Sequence, residues 1–132
     1  MTTSKSSDRS RILVVDDDPL VRRAYVRILR SRFEVVTASD GAEAVVVAES
    51  GTHLDLIVMD VEMPVMDGYE ASGRIAAIRP ELASRIIVVS GGIRDSTRAA
   101  WFAALPRDLR VEKPVDRAPL IAAIERILGT GR

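Results

Sequence analysis

Three acids stand in a row at Asp16, Asp17 and Asp18, another stands at Asp60, and a serine and a lysine follow at Ser90 and Lys113. Each comes directly after, or just beyond, a short run rich in Val, Ile, Leu and Met: residues 12–15, 54–59, 85–89 and 108–111. Where such runs are neighbouring strands of an open sheet, the residues that follow them collect at one edge. Three carboxylates brought into one pocket repel each other unless a cation or an ammonium is supplied. Mg²⁺ meets that need: it takes oxygen ligands, keeps several waters and is commonly held by one or two carboxylates together with a phosphate oxygen. Asp17 and Asp60 are the natural direct ligands, with Asp16 acting through water. Phosphoryl transfer to a carboxylate asks for an in-line nucleophile, a metal that neutralises the equatorial oxygens, and donors for the remaining oxygens. Lys113 and the Ser90 hydroxyl supply those donors. Nucleophile, metal site and two counter-groups are thus present, without a general base or a nucleotide loop.

Taken singly, these residues have ordinary uses. Asp18 before Pro19 is a helix cap and first-turn pair. A lone Asp60 suits a loop or a cap, Ser90 before Gly91 and Gly92 suits a turn, and Lys113 suits a solvated surface. Their joint placement after successive strand runs is what carries the chemical reading.

The elements that must position them follow from periodicity. Strand-like runs at 12–15, 33–37, 54–59, 85–89 and, less clearly, 108–111 alternate with longer stretches of helical spacing. Leu20, Val21, Ala24, Tyr25, Ile28 and Leu29 line one face of a first helix, and Leu120, Ile121, Ala123, Ile124, Ile127 and Leu128 line a last one that Gly129 ends. The helices expected at 41–49 and 68–78 carry a Val45–Val47 run and Gly73, each unfavourable by propensity, so packing must override both. A helix at about 95–104 carries Trp101 and Phe102 and stops before Pro106. Five strands alternating with five helices predict a three-layer α/β fold. The sheet is then expected to be parallel and covered by helices on both faces.

A chain of 132 residues is expected to hold one core, over residues 11–129, after a flexible polar tail at 1–10. Lys plus Arg and Asp plus Glu both number 19, so no bulk field draws the protein to nucleic acid or an acidic membrane. The absence of cysteine removes disulfides and thiolate chemistry. No apolar run approaches the ~20 residues of a membrane span, and the expected location is cytoplasmic.

Val14-Val15-Asp16-Asp17-Asp18, then Val58 to Gly68 around Asp60, then Ser90-Gly91, then Glu112-Lys113-Pro114 together resemble the response-regulator receiver of two-component signal transduction. The resemblance runs from about residue 11 to 128 and implies a doubly wound, five-stranded parallel sheet of order 2-1-3-4-5, flavodoxin-like, with the site at its switch point. It implies that Asp60 is the phosphoacceptor, Asp16 and Asp17 the acidic metal-binding pair, the backbone carbonyl of Glu62 a further metal ligand, Ser90 the switch hydroxyl and Lys113 the phosphoryl contact. The Lys113-Pro114 bond is often cis in such domains, and Asp67 and Gly68 match the junction of loop and helix. The implied function is to accept a phosphoryl group from a sensor histidine kinase or a histidine phosphotransfer protein, with Mg²⁺, and to switch partner binding. Such a domain catalyses only its own phosphorylation and dephosphorylation and is not otherwise an enzyme. The expected output partner is a downstream protein or a second copy, met by the face of the fourth helix, fifth strand and fifth helix. With no effector segment after Leu128, the chain is expected to be a stand-alone regulator or a receiver cut from a hybrid kinase or longer regulator.

Two departures stand out. The position three before the lysine, usually aromatic in the family, is Arg110, expected to face solvent and meet a partner beside exposed Trp101 and Phe102. The segment from Ser90 to Lys113 is one residue longer than is common. A phosphorylation-independent, receiver-like interaction module is the alternative, but it would be marked by loss of an acid or of Lys113, and none is lost. An aspartate-dependent phosphatase would need a second Asp where Glu62 stands. A flavin site would need a phosphate loop where the chain is triply acidic.

Overall fold

The computed structural model describes residues 9–129. Its order is β1 Arg11–Val15, α1 Pro19–Leu29, β2 Glu34–Ala38, α2 Gly41–Glu49, β3 Leu56–Asp60, α3 Gly68–Ile78, β4 Ile86–Ser90, α4 Ser96–Ala104, β5 Arg110–Glu112 and α5 Arg117–Leu128. The strands are all parallel in the order β2-β1-β3-β4-β5. Most of the expected 1–10 tail lies outside the described residues. Of its last two residues, Arg9 donates to the Arg30 carbonyl and the Ser10 carbonyl accepts from Glu34 N–H.

The central strands β1, β3 and β4 are buried along their whole length, which is why they read as continuous apolar runs rather than alternating ones. Alternate residues serve opposite faces. Ile12, Val14, Leu56, Val58, Ile87 and Val89 pack with Tyr25 and Leu29 of α1 and Leu120, Ile121 and Ile124 of α5. Leu13, Val15, Ile57, Met59 and Val88 pack with Ala44, Val45 and Ala48 of α2, Ala71 and Ile75 of α3 and Phe102 of α4. The weak propensity of α2 is overridden by that burial and by its cap, where Asp40 accepts from Glu43 N–H.

The strands end later than the apolar runs suggest. Asp60 and Ser90 are themselves last residues of β3 and β4, registered with Val89 and Glu112 on the next strands. A parallel ladder continues while neighbouring backbones pair, whatever side chain the residue carries. At the other end, Asp108 and Leu109, expected in the last strand, form a 3₁₀ turn that precedes β5.

Two glycines of α3 show how tightly this edge is built. A Cβ at Gly68 would stand 2.2 Å from the Asp60 carbonyl oxygen, whereas one at Gly73 would meet nothing within 4 Å. Gly68→Ala is therefore expected to cost about 1–3 kcal/mol as overpacking against backbone. Gly73→Ala should stabilise by about 0.5–1 kcal/mol through helix propensity. Urea unfolding of both variants checks the opposite signs, and a neutral Gly68→Ala would show that the loop after β3 is not held against α3.

Candidate functional site

The ends of β1, β3, β4 and the residue after β5 meet at one edge. Asp16 follows β1 and is 2% exposed; Asp60 ends β3 and is 6% exposed. With exposed Asp17 they bring carboxylate oxygens within 4.8 Å of one another. One Asp16 oxygen accepts from Asp18 N–H at 2.9 Å, while the other, Oδ2, is buried with no partner in the protein. Buried polar atoms are almost always satisfied, so an unpartnered oxygen on an acid clustered with two more is one that a bound cation would satisfy. Asp18 is what its sequence suggests, the N-cap of α1, accepting from Leu20 N–H at 2.9 Å.

Lys113 supplies the positive charge that the structure holds. Its Nζ lies 3.1 Å from Asp60 Oδ1. Its backbone N–H donates to the Ser90 carbonyl at 2.8 Å, and its peptide bond to Pro114 is cis. The lysine stem lies across Gly91, where an added Cβ would meet it at an ordinary contact distance of 3.4 Å. Ser90 is 4% exposed, and its Oγ accepts from Gly92 N–H at 3.1 Å, which leaves the hydroxyl proton available. Glu62 lies two residues past Asp60 with its side chain exposed, outside the three-carboxylate cluster.

The electrostatics follow from burial. Desolvation first, then the Asp16 charge, push the Asp60 carboxyl up to about 6, against the opposing pull of Lys113. Asp16 is also raised, mainly by burial. Burial works against the Lys113 ammonium, but its hydrogen bond and charge contact with Asp60 outweigh this and hold it above the ordinary lysine value. The Tyr25 hydroxyl is raised by burial and then by the charges of Asp16 and Asp60, so this α1 residue feels the site from the core side. Arg22 reaches back to the Asp16 carbonyl at 2.7 Å. Sequence periodicity assigned Tyr25 only to a helix face and gave no signal for Arg22.

The expected output residues sit differently from the sequence reading. Arg110 is half-buried, and its Nε donates to the Leu105 carbonyl at 3.1 Å. It caps the end of α4 instead of projecting freely, because the last carbonyls of a helix lack internal partners and a guanidinium satisfies one while staying partly solvated. Phe102 is buried against the sheet, correcting its expected exposure. Trp101 is half-buried and meets Tyr69 of α3 edge-on, ring centroids 5.1 Å apart.

The sequence profile of the response regulator receiver domain matches residues 12–125. The chain belongs to this family. The receiver is 39% identical over 129 residues to the transcriptional regulatory protein PrrA of Mycobacterium leprae, covering 97% of this chain and 53% of PrrA. It spans smaller shares, down to 14%, of other curated relatives. It superposes with a TM-score of 0.81 on a receiver domain protein from Methanospirillum hungatei, at 26% identity, covering 92% of this chain and 95% of that one. The receiver domain of a sensor histidine kinase from Pseudomonas aeruginosa, solved with a magnesium ion in its active site cleft, matches with a TM-score of 0.79 and 31% identity over 92% of this chain and 98% of that one.

The raised Asp60 pKa fixes the sign of a pH effect on the metal-free protein. A carboxyl raised from an unfolded value of about 4 stabilises the fold fully below that pH, and the contribution is lost as pH rises through about 6. At pH 8 without divalent cations, Asp60→Asn should therefore exceed the wild type in stability by on the order of 2–3 kcal/mol. The gap should close toward pH 4. Urea unfolding in chelator at both pH values measures it, and a gap that widens on acidification contradicts the assignment of Asp60 as the strained acid.

Proposed function

We propose that this receiver takes a phosphoryl group on Asp60 from the phosphohistidine of a sensor histidine kinase or phosphotransfer protein and changes its partner affinity as a result. The observation that carries the reading is the buried Asp60 carboxylate, 3.1 Å from Lys113 Nζ and clustered with Asp16 and Asp17. An Asp60 oxygen forms the new P–O bond as the P–N bond to the donor imidazole breaks, its electron pair staying on the ring nitrogen. At neutral pH a carboxyl near 6 is largely ionised yet more basic than an ordinary aspartate, which suits a nucleophile. The Lys113 ammonium stands beside the oxygen that receives the group, and the Ser90 hydroxyl turns from the Gly92 turn to donate to it.

The residues present fit Mg²⁺: Asp16 through its unpartnered oxygen, Asp17, Asp60 and the Glu62 carbonyl would hold it. Bound there, the ion supplies positive charge to the phosphoryl oxygens. The chain's own catalysis is confined to gaining and losing this group. Output to a downstream protein or a second copy is assigned to the face of α4, β5 and α5. Balanced charge and the absence, among the described residues, of any helix long and apolar enough to cross a membrane support a protein partner in the cytoplasm, without direct nucleic-acid or lipid contact.

The test is intact mass after treatment with acetyl phosphate and Mg²⁺. The wild type should gain one phosphoryl group, Asp60→Asn none, and Asp17→Ala far less at the same Mg²⁺ concentration. A phosphoryl group on Asp60→Asn would falsify the assignment. A wild type that stays unmodified while binding partners normally favours the phosphorylation-independent interaction module.

A further inference from the structure

Outside the acidic cluster, one charged constellation ties the loop after Asp60 to a helix. Arg98, in the first turn of α4, donates through Nε to Asp67 Oδ2, and its Nη1 reaches Asp95 Oδ2 at 3.4 Å. Its guanidinium lies over the Tyr69 ring, 4.8 Å from the centroid, and that ring meets Trp101. Asp67 closes the loop that begins at Asp60 and caps α3 with its other oxygen, which accepts from Glu70 N–H at 3.0 Å. The paired side chains are only 33% and 20% exposed, so their attraction is screened less than that of an open surface pair.

The two ends of this link differ in stiffness. The loop at 61–67 is held by Gly68 N–H on the Val61 carbonyl at 2.8 Å and Gly41 N–H on the Met66 carbonyl at 3.0 Å. It keeps Val65 at a φ of 70°, a left-handed conformation that a β-branched residue adopts only when its surroundings over-determine it. By contrast, α4 buries Phe102 alone among its residues and follows a Gly91-Gly92 turn in which Gly92 has a φ of 132°. A change in the backbone at Asp60 is therefore passed on by the loop to Asp67, while α4 has few contacts to resist being drawn along. Arg98 also has two acids to choose from, Asp67 on the loop and Asp95 at its own helix cap. The guanidinium thus touches both acids at once, and loss of the Asp67 contact would leave it held at its own helix cap by Asp95.

We propose that the Arg98–Asp67 ion pair is the link that carries a change at Asp60 into α4, so that phosphorylation shifts the balance between bridged and released helix. The proposal rests on the phosphoacceptor reading and adds the route by which that site is heard. Arg98 is a positioning residue, and Trp101, the protein's one tryptophan, is its reporter.

The full chain is treated with acetyl phosphate and Mg²⁺, following intact mass and Trp101 emission together in wild type, Arg98→Gln, Asp67→Asn and the double variant. Asp67→Asn keeps a cap oxygen for α3 and removes only the charge, so it probes the link without touching the arginine stacked on Tyr69. The expected result is that every protein gains the phosphoryl group and the wild type changes emission on doing so. Each single variant should lose most of that change, and the double variant should lose no more than either single. Equal emission changes in all four, additive losses, or a phosphorylated wild type with unaltered emission each overturn the link while leaving the phosphoacceptor intact. A wild type that gains no mass removes the phosphoacceptor reading and the link with it.

Discussion

Asp16 and Asp60 stand at the ends of adjacent parallel strands, both almost wholly removed from water, and the Asp16 charge adds to burial in raising the Asp60 pKa. Two buried like charges are unfavourable, and the architecture around them serves to hold that arrangement. The crossovers that place β1 beside β3 put the two acids side by side. Lys113 offsets part of the repulsion, and its backbone is fixed by the end of β4. Gly68 lets α3 close over the Asp60 carbonyl. The residual strain is what a bound cation would relieve.

Much of this was legible in the chain. The unbroken apolar runs could only be strands covered on both faces, and the chemistry-bearing residues at their ends had to share an edge. The caps at Asp18 and Gly129 were marked by residue type, and both act as caps. What was not legible is long-range and polar. The partner of Arg98 lies 31 residues away, and nothing in either local pattern signals the pair. The strand ends slipped because periodicity follows side chains whereas the ladder follows backbone hydrogen bonds, which carry Asp60 and Ser90 inside the sheet.

The fourth helix was the hardest element to orient, for a physical reason. Its sequence is short and rich in alanine, so several faces could pack. The structure buries Phe102, turns Trp101 toward Tyr69 and gives Arg110 a capping task at the helix end. Arginines thus engage both termini of α4: Arg98 at its start, toward the loop after Asp60, and Arg110 at its end, from the first residue of β5. A helix held mainly at its ends by polar contacts can change position at lower cost than one held along its length by buried apolar surface, since charge-assisted hydrogen bonds exchange partners without opening a cavity.

The chemical choice of cation at the site follows the same logic. Lys113 is the one lysine among the described residues, in a chain whose other cations there are arginines. A guanidinium presents a planar fork that matches both oxygens of a carboxylate at once. Placed beside Asp60 it would match both carboxylate oxygens at once. An ammonium is a compact charge with rotatable donors, and here it sits 3.1 Å from Oδ1. That contact neutralises charge through a single point rather than through a fork. A compact counter-charge beside Asp60 is thus what an amine supplies at this position, where the arginines of the described residues make ion pairs with Asp and Glu away from the site.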